Sequence, residues 1–422
     1  MNEQIYNECL NILREELVPA MGCTEPIAVA YCSALARDTL GALPDKIAVT
    51  VSGNILKNVK SVVVPNTGGM RGVACAAAAG AVAGNAQLKL EALSHITQAQ
   101  REQISAYCRQ TEITVEQSRS GCIFDIGVRA YSRSDEAYVR IALRHTNVVE
   151  ISRNGKSLFH ADAQEEADGC ARDPLSVKNI VEFADCVRLC DVQDLIERQI
   201  EYNSAIAEEG LKGDYGAKVG KVLLTAFGNN VHNLAKATAA AGSDARMNGC
   251  SLPVVIVSGS GNQGMTASLP VIVYAKHLGC DRETLIRALV LSDLITVHLK
   301  SDIGRLSAYC GAVSAGCGAG AGVCYLYGGK YDEIAHTLVN ALAIDSGIVC
   351  DGAKSSCAAK IASAVEAGLI GMEMYRNGSQ FYGGDGILEC DVENTIHNVG
   401  DLARNGMKET DEEIIRLMLK NI

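Results

Sequence analysis

Hydrophobic periodicity changes once along this 422-residue chain, and that change limits the folds open to it. In the first segment, short runs alternating apolar and polar residues sit among helical patterns. From Val177 onward the alternation nearly vanishes, and apolar residues recur at helical spacing between Gly-rich breaks. A chain written this way folds as an α+β unit followed by packed helices.

Residues 1–17 predict an amphipathic helix with Ile5, Cys9, Ile12, Leu13 and Leu17 on one face. A second helix over 25–41 is opened by Thr24-Glu25-Pro26. Residues 46–53 and 61–65 read as strands, and 73–84 and 88–108 as helices. The runs 112–115, 122–131, 137–144 and 147–153 read as strands of a small antiparallel or mixed sheet. Arg153-Asn154-Gly155-Lys156 is a tight hairpin turn. The polar, acidic stretch 159–174 reads as a linker. The expectation is an α+β domain over 1–170 carrying the Cys23 loop and an all-helical domain over 171–422.

Composition supports this. With 48% hydrophobic and 21% charged residues the chain can bury a large core. Trp is absent, Phe numbers 5 and Gly 41, which suits helices packed closely through small residues. A net charge of −11 disfavours nucleic acid and anionic membranes as partners. No apolar run reaches the ~18–20 residues of a membrane span. The start, Met1-Asn2-Glu3-Gln4-Ile5, lacks the basic-then-apolar pattern of a signal peptide. The expected compartment is therefore the reducing cytoplasm, where most of the 17 cysteines serve as small core residues. The expected assembly is a homodimer, the commonest for soluble enzymes.

Three of those cysteines stand apart. Cys350 and Cys357 frame Asp351-Gly352-Ala353-Lys354-Ser355-Ser356, and Cys310 precedes them in Tyr309-Cys310-Gly311. Three thiolates are one short of the four that normally hold a [4Fe-4S] cluster. An iron without a protein ligand is a Lewis acid with an open position. Cys310, Cys317 and Cys324 are seven apart, about 10.5 Å per step along a helix, so one of them at most can join a compact cluster. The competing metal reading is zinc on the same thiols. Cys186 and Cys190, four apart, share a helix face as a metal pair or as part of a buried stripe with Val187, Leu189 and Ile196.

Cys23 lies in Met21-Gly22-Cys23-Thr24-Glu25-Pro26, just ahead of a helix. The positive end of a helix favours thiolate, which suits a base or a nucleophile. Two Gly-rich loops offer N–H groups to a small anion. In the first, Asn66, Thr67, Gly68 and Arg71 are the candidates for a substrate carboxylate; in the second, Ser258, Gly259 and Asn262. Close packing around glycine is the alternative for both, and neither matches the dinucleotide fingerprint or the P-loop. Lys300 and Ser301 are further polar candidates ahead of Cys310, and His298 beside them reads as structural.

Taken together, Gly22–Pro26, Asn66–Gly69, Ser258–Gly264, Lys300–Gly304 and Cys350–Cys357 resemble the L-cysteine desulfidase family, related to the catalytic part of bacterial iron–sulfur L-serine dehydratases. The resemblance runs in order over essentially the whole chain. It implies a [4Fe-4S] lyase that breaks L-cysteine into sulfide, ammonia and pyruvate without pyridoxal phosphate. It also implies Cys310, Cys350 and Cys357 as cluster ligands, with Cys317 the rival of Cys310, and Cys23 as the catalytic cysteine. The dehydratases' serine- and histidine-rich substrate loop has no clear copy here. Serine dehydration remains an alternative, as does a non-catalytic protein that binds an amino acid or senses redox state.

Overall fold

The computed structural model describes residues 1–162, 174–304 and 307–419. The N-terminal portion runs α1 (Glu3–Glu16), β1 (Pro19–Met21), α2 (Thr24–Leu40), β2 (Lys46–Val51), α3 (Gly53–Val59), α4 (Val73–Ala83) and α5 (Gln98–Gln110). It continues with β3 (Glu112–Gln117), β4 (Asp125–Ser132), β5 (Asp135–Ala142), β6 (Val148–Arg153) and β7 (Lys156–His160). Among the described residues the remainder is helical apart from one short strand. It comprises α6 (Val177–Cys186), α7 (Leu189–Lys212), α8 (Val219–Phe227), α9 (Val231–Met247), β8 (Pro253–Val255), α10 (Gly261–Leu278) and α11 (Arg282–Ile303). It ends with α12 (Gly311–Leu326), α13 (Tyr331–Ile344), α14 (Cys357–Arg376), α15 (Val392–Asp401) and α16 (Lys408–Leu419). The α+β class with a helical C-terminal portion is the one the change of periodicity predicts. Most of the predicted linker, and the boundary at 170, lie outside the described residues.

Six strands form a mixed sheet in the order β3-β2-β4-β5-β6-β7. β2 pairs with β3 in parallel and with β4 antiparallel, and the remaining pairs are antiparallel. Alternation sets its buried face: Ile47, Val49 and Val51 of β2 pack with Ile126 and Val128 of β4 under α2 and α4. Asn154 and Gly155 both take positive φ, 51° and 74°, as the hairpin turn requires.

Two local expectations are corrected. Residues 61–65 form no strand and make a single bridge, Val63 to Arg71, because Val62 to Pro65 are buried on all sides and Pro65 packs under Gly22. The predicted helix over 88–108 is broken. A 3-10 turn occupies Ala86–Glu91, and α5 starts afresh at a capping box between Thr97 and Gln100.

The second core gathers the C-terminal helices together with α1. β1 pairs antiparallel with β8, Pro19 against Val255 and Met21 against Pro253, and Thr24 Oγ1 donates to the Gly259 carbonyl at 3.2 Å, which ties the turn after β1 to the loop after β8. At the centre, α12 meets α14 and α11 almost backbone to backbone. A Cβ on Gly316 would sit 2.2 Å from the Ala364 carbonyl oxygen, and one on Gly318 2.3 Å from Thr296 Oγ1. α16 returns to the α+β unit, where Asp411 pairs with Lys57 and Lys60 Nζ donates to the Met418 carbonyl at 2.6 Å. Among the described residues no helix is long and apolar enough to cross a membrane.

Candidate active site

Four helices start at one cavity of about 120 Å³. Cys23 is the N-cap of α2, Ser260 of α10 and Cys310 of α12, while Cys357 opens α14 behind its N-cap Ser356. None of these four N-caps makes a side-chain capping bond, in contrast to Ser52 on α3 or Asp281 on α11. No side-chain cap competes with a ligand at these ends, although on α14 the Cys357 and Ala358 N–H groups donate to the Lys354 and Ser355 carbonyls at 3.0 and 3.3 Å; four positive helix ends favour anionic contents.

Backbone pairing brings the first two thiols together. Tyr309 bridges Val349 antiparallel, with Cys310 N–H donating to the Ile348 carbonyl at 2.9 Å and Cys350 N–H to the Ala308 carbonyl at 2.6 Å. Gly352 then takes φ 94° and passes so close to the end of α3 that a Cβ would sit 2.3 Å from the Lys57 carbonyl oxygen. That turn swings the chain back, and Cys357 Sγ lies 3.8 Å from the Gly352 carbonyl. Cys310, Cys350 and Cys357 all line the cavity, as does Cys23, and Cys357 packs against the small cluster of Cys23, Val62 and Met247. Cys317 is buried further along α12 and does not line it.

Cys310 donates to Cys350, which holds the Cys350 thiol low, helped by Lys57, the Gly352 N–H and Lys360; the same bond holds Cys310 high. Burial raises Cys357. Burial also lowers Lys300 to about 8, and its Nζ donates to the Gly304 carbonyl at 2.5 Å. Among the described residues no group of three or more His, Cys, Asp or Glu is arranged to hold a metal ion. That concerns a single ion. A cubane spreads its ligands over several irons, and three thiols around a cavity edged with N–H groups and lysines suit such a cluster.

Cys23 corrects one expectation. Burial and the neighbouring Glu25 carboxylate push its thiol well above the ordinary value, outweighing the helix end. Its Sγ donates to Glu25 Oε2 at 3.1 Å, which also accepts from Thr24 Oγ1 at 3.0 Å, while Oε1 accepts from Asn58 Nδ2 at 3.0 Å. Burial alone would raise Glu25, but His145, the Cys23 bond, its own N–H and Arg246 together hold it low. Glu25 is thus a carboxylate facing a thiol.

Ser258, Gly259, Asn262 and Lys300 line the cavity with the cysteines. Asn66, Thr67, Gly68, Arg71 and Ser301 do not. Asn66 Nδ2 donates to the Leu93 carbonyl at 2.8 Å, Thr67 Oγ1 to the Val64 carbonyl at 2.7 Å, Arg71 Nη1 to the Ser61 carbonyl, and Ser301 Oγ to the Val297 carbonyl at 2.7 Å. Gly68 is exposed. The first loop instead buttresses the Cys23 turn: Pro65 fills the space beside Gly22, and Asn66 Nδ2 reaches Met21 Sδ at 3.3 Å. Cys186 and Cys190 are exposed and away from the cavity.

Sequence reading missed Lys57, His145 and Arg246, which line the cavity, and gave Glu25 and Gln263 no role. Arg246 had a signal, a cation closing an Ala-rich helix. His145 had none, since it arrives on the β5–β6 loop after Leu143 takes φ 68°.

The family model described as the serine dehydratase alpha chain matches residues 87–416, a span that holds Cys310, Cys350 and Cys357 but not Cys23 or Lys57. A UPF0597 protein of Desulfitobacterium hafniense is 57% identical over 99% of this chain and 97% of its own length. UPF0597 proteins of Lachnoclostridium phytofermentans and Treponema denticola are 48% and 43% identical, covering 98% and 100% of this chain and 100% of their own lengths.

Proposed function

The chain belongs to the serine dehydratase alpha-chain family, and from that premise we propose that it is an L-cysteine desulfidase. In this reading L-cysteine becomes sulfide, ammonia and pyruvate, with a [4Fe-4S] cluster held by Cys310, Cys350 and Cys357. The observation that carries it is the convergence of these thiols on the cavity that also holds Cys23 and Glu25. The cluster supplies a Lewis-acidic iron, which makes sulfide a better leaving group.

The chain's own residues do the rest. Lys57 and Lys300 offset thiolate charge. Cys23 takes the Cα proton while its own proton passes to Glu25 Oε2, so the high thiol is no obstacle. Loss of HS⁻ leaves aminoacrylate, which is released and hydrolyses in water to pyruvate and ammonia.

The test is sulfide release from L-cysteine by protein purified and iron-reconstituted without oxygen. Release that rises with iron content supports the reading. A loaded protein that forms pyruvate from L-serine and no sulfide from L-cysteine would establish serine dehydration instead, the reading the family's description favours. Zinc without iron or labile sulfide after anaerobic handling would overturn both.

A further inference from the structure

One cation at the cavity lacks an anionic partner. Arg246, near the end of α9, is 2% exposed. Its Nη1 donates to Asn262 Oδ1 at 3.1 Å, its Nε has no hydrogen-bond partner, and no ion pair to it is found among the described residues. The cavity's other cations differ: Lys57 is paired with Asp411, and Lys300 is tied to the Gly304 carbonyl. Arg246 acts electrostatically on Cys23 and Glu25, but among the described residues no hydrogen bond or ion pair joins it to either. A buried guanidinium without a counter-ion is costly unless something anionic completes it.

The surroundings indicate what that is. Arg246 lies under the uncapped start of α10, where a Cβ on Gly261 would sit 2.5 Å from Nε. Guanidinium and first-turn N–H groups together make a carboxylate seat. One residue beyond Asn262, Gln263 is 6% exposed and its Oε1 has no partner. Its amide lies against Gly311, where a Cβ would sit 2.6 Å from Cδ, and so reaches the residue after Cys310. An unsatisfied buried acceptor beside an unsatisfied buried cation is complementary to a zwitterion.

We propose that Arg246, aimed by Asn262, binds the α-carboxylate of a free amino acid and that Gln263 Oε1 accepts from its α-ammonium, leaving the side chain to the Cys310 side of the cavity. This deepens the lyase reading and rests on it for the identity of the amino acid.

The test uses reconstituted protein and three ligands, titrated calorimetrically. L-alanine has no leaving group, ethylamine lacks the carboxylate, and propionate lacks the ammonium. Wild type should bind L-alanine on the order of 100-fold more tightly than ethylamine. Arg246→Met should erase that preference, and Gln263→Ala should narrow the one over propionate. Lost packing alone would leave the alanine-to-ethylamine ratio unchanged. If Arg246→Met does not fold, Asn262→Ala decides, with about a 10-fold loss for L-alanine expected. Failure of wild type to bind L-alanine, equal binding of ethylamine, or unchanged L-alanine affinity in a folded Arg246→Met or Asn262→Ala protein overturns the proposal. Sulfide release with an unaltered KM in Arg246→Met sinks this inference and spares the lyase. Arg246-dependent L-alanine binding without turnover of L-cysteine or L-serine does the reverse.

Discussion

Asp293 is fully buried in α11, accepts from Gln199 Nε2 at 2.9 Å, and has a second oxygen with no partner. Burial raises its carboxyl to about 8. The native state therefore holds a proton that the unfolded chain releases near pH ~4. This stabilisation is complete below about 4, declines as pH rises, and is gone above about 8. Asn in its place should flatten the dependence, so the gap between urea midpoints at pH 6 and pH 9 should shrink in Asp293→Asn; an equal gap would refute the assignment. At the cavity, Glu25→Gln leaves Cys23 without its proton acceptor. Sulfide release should fall on the order of 100-fold or more while iron content holds. Spacing left the thiols open, since the seven-residue ladder says only that one of Cys310, Cys317 and Cys324 at most can join a cluster; it was the family resemblance that singled out Cys310, Cys350 and Cys357. The ionisation of Cys23 was not legible, because burial and the Glu25 carboxylate oppose the helix end, and neither the burial nor the approach of Glu25 is written in the sequence.

Among elements, the crossing of α12 and α14 holds the site. Gly316, Gly320 and Gly368 put carbonyls within 2.2–2.5 Å of where Cβ atoms would be. Gly316→Ala must force apart a pair of helices that each begin at a site cysteine. It should cost about 1–3 kcal/mol and lower iron and sulfide content after reconstitution. A variant with unchanged melting and full iron would show that the contact does not set the thiol spacing. The helices themselves were readable from period and small-residue content. The false strand at 61–65 came from apolar residues buried by Pro65 and its surroundings rather than by a sheet.

Over the whole molecule, what the sequence hid are the ties between distant segments. β1 and β8 have three residues each and join stretches of the chain more than two hundred residues apart, too short and too remote for periodicity to reveal. The ion pair of Lys57 with Asp411 is another such tie, with the Lys57 side chain 1% exposed. Asp411→Ala strands that charge and should cost about 3 kcal/mol, read as a lower urea midpoint; an unchanged midpoint would mean that Lys57 finds another partner. The meeting of four helix starts at one cavity has a mechanical corollary. Four parts of its wall are tips of rods whose shafts are gripped elsewhere in the core. α14, at 20 residues, is about 30 Å long, so a tilt of one degree about its far end moves its tip by roughly 0.5 Å. Substitutions at the distal ends of these helices, remote from any reacting atom, are therefore geared to the spacing of the thiols, and the cavity acts as the pointer of four levers.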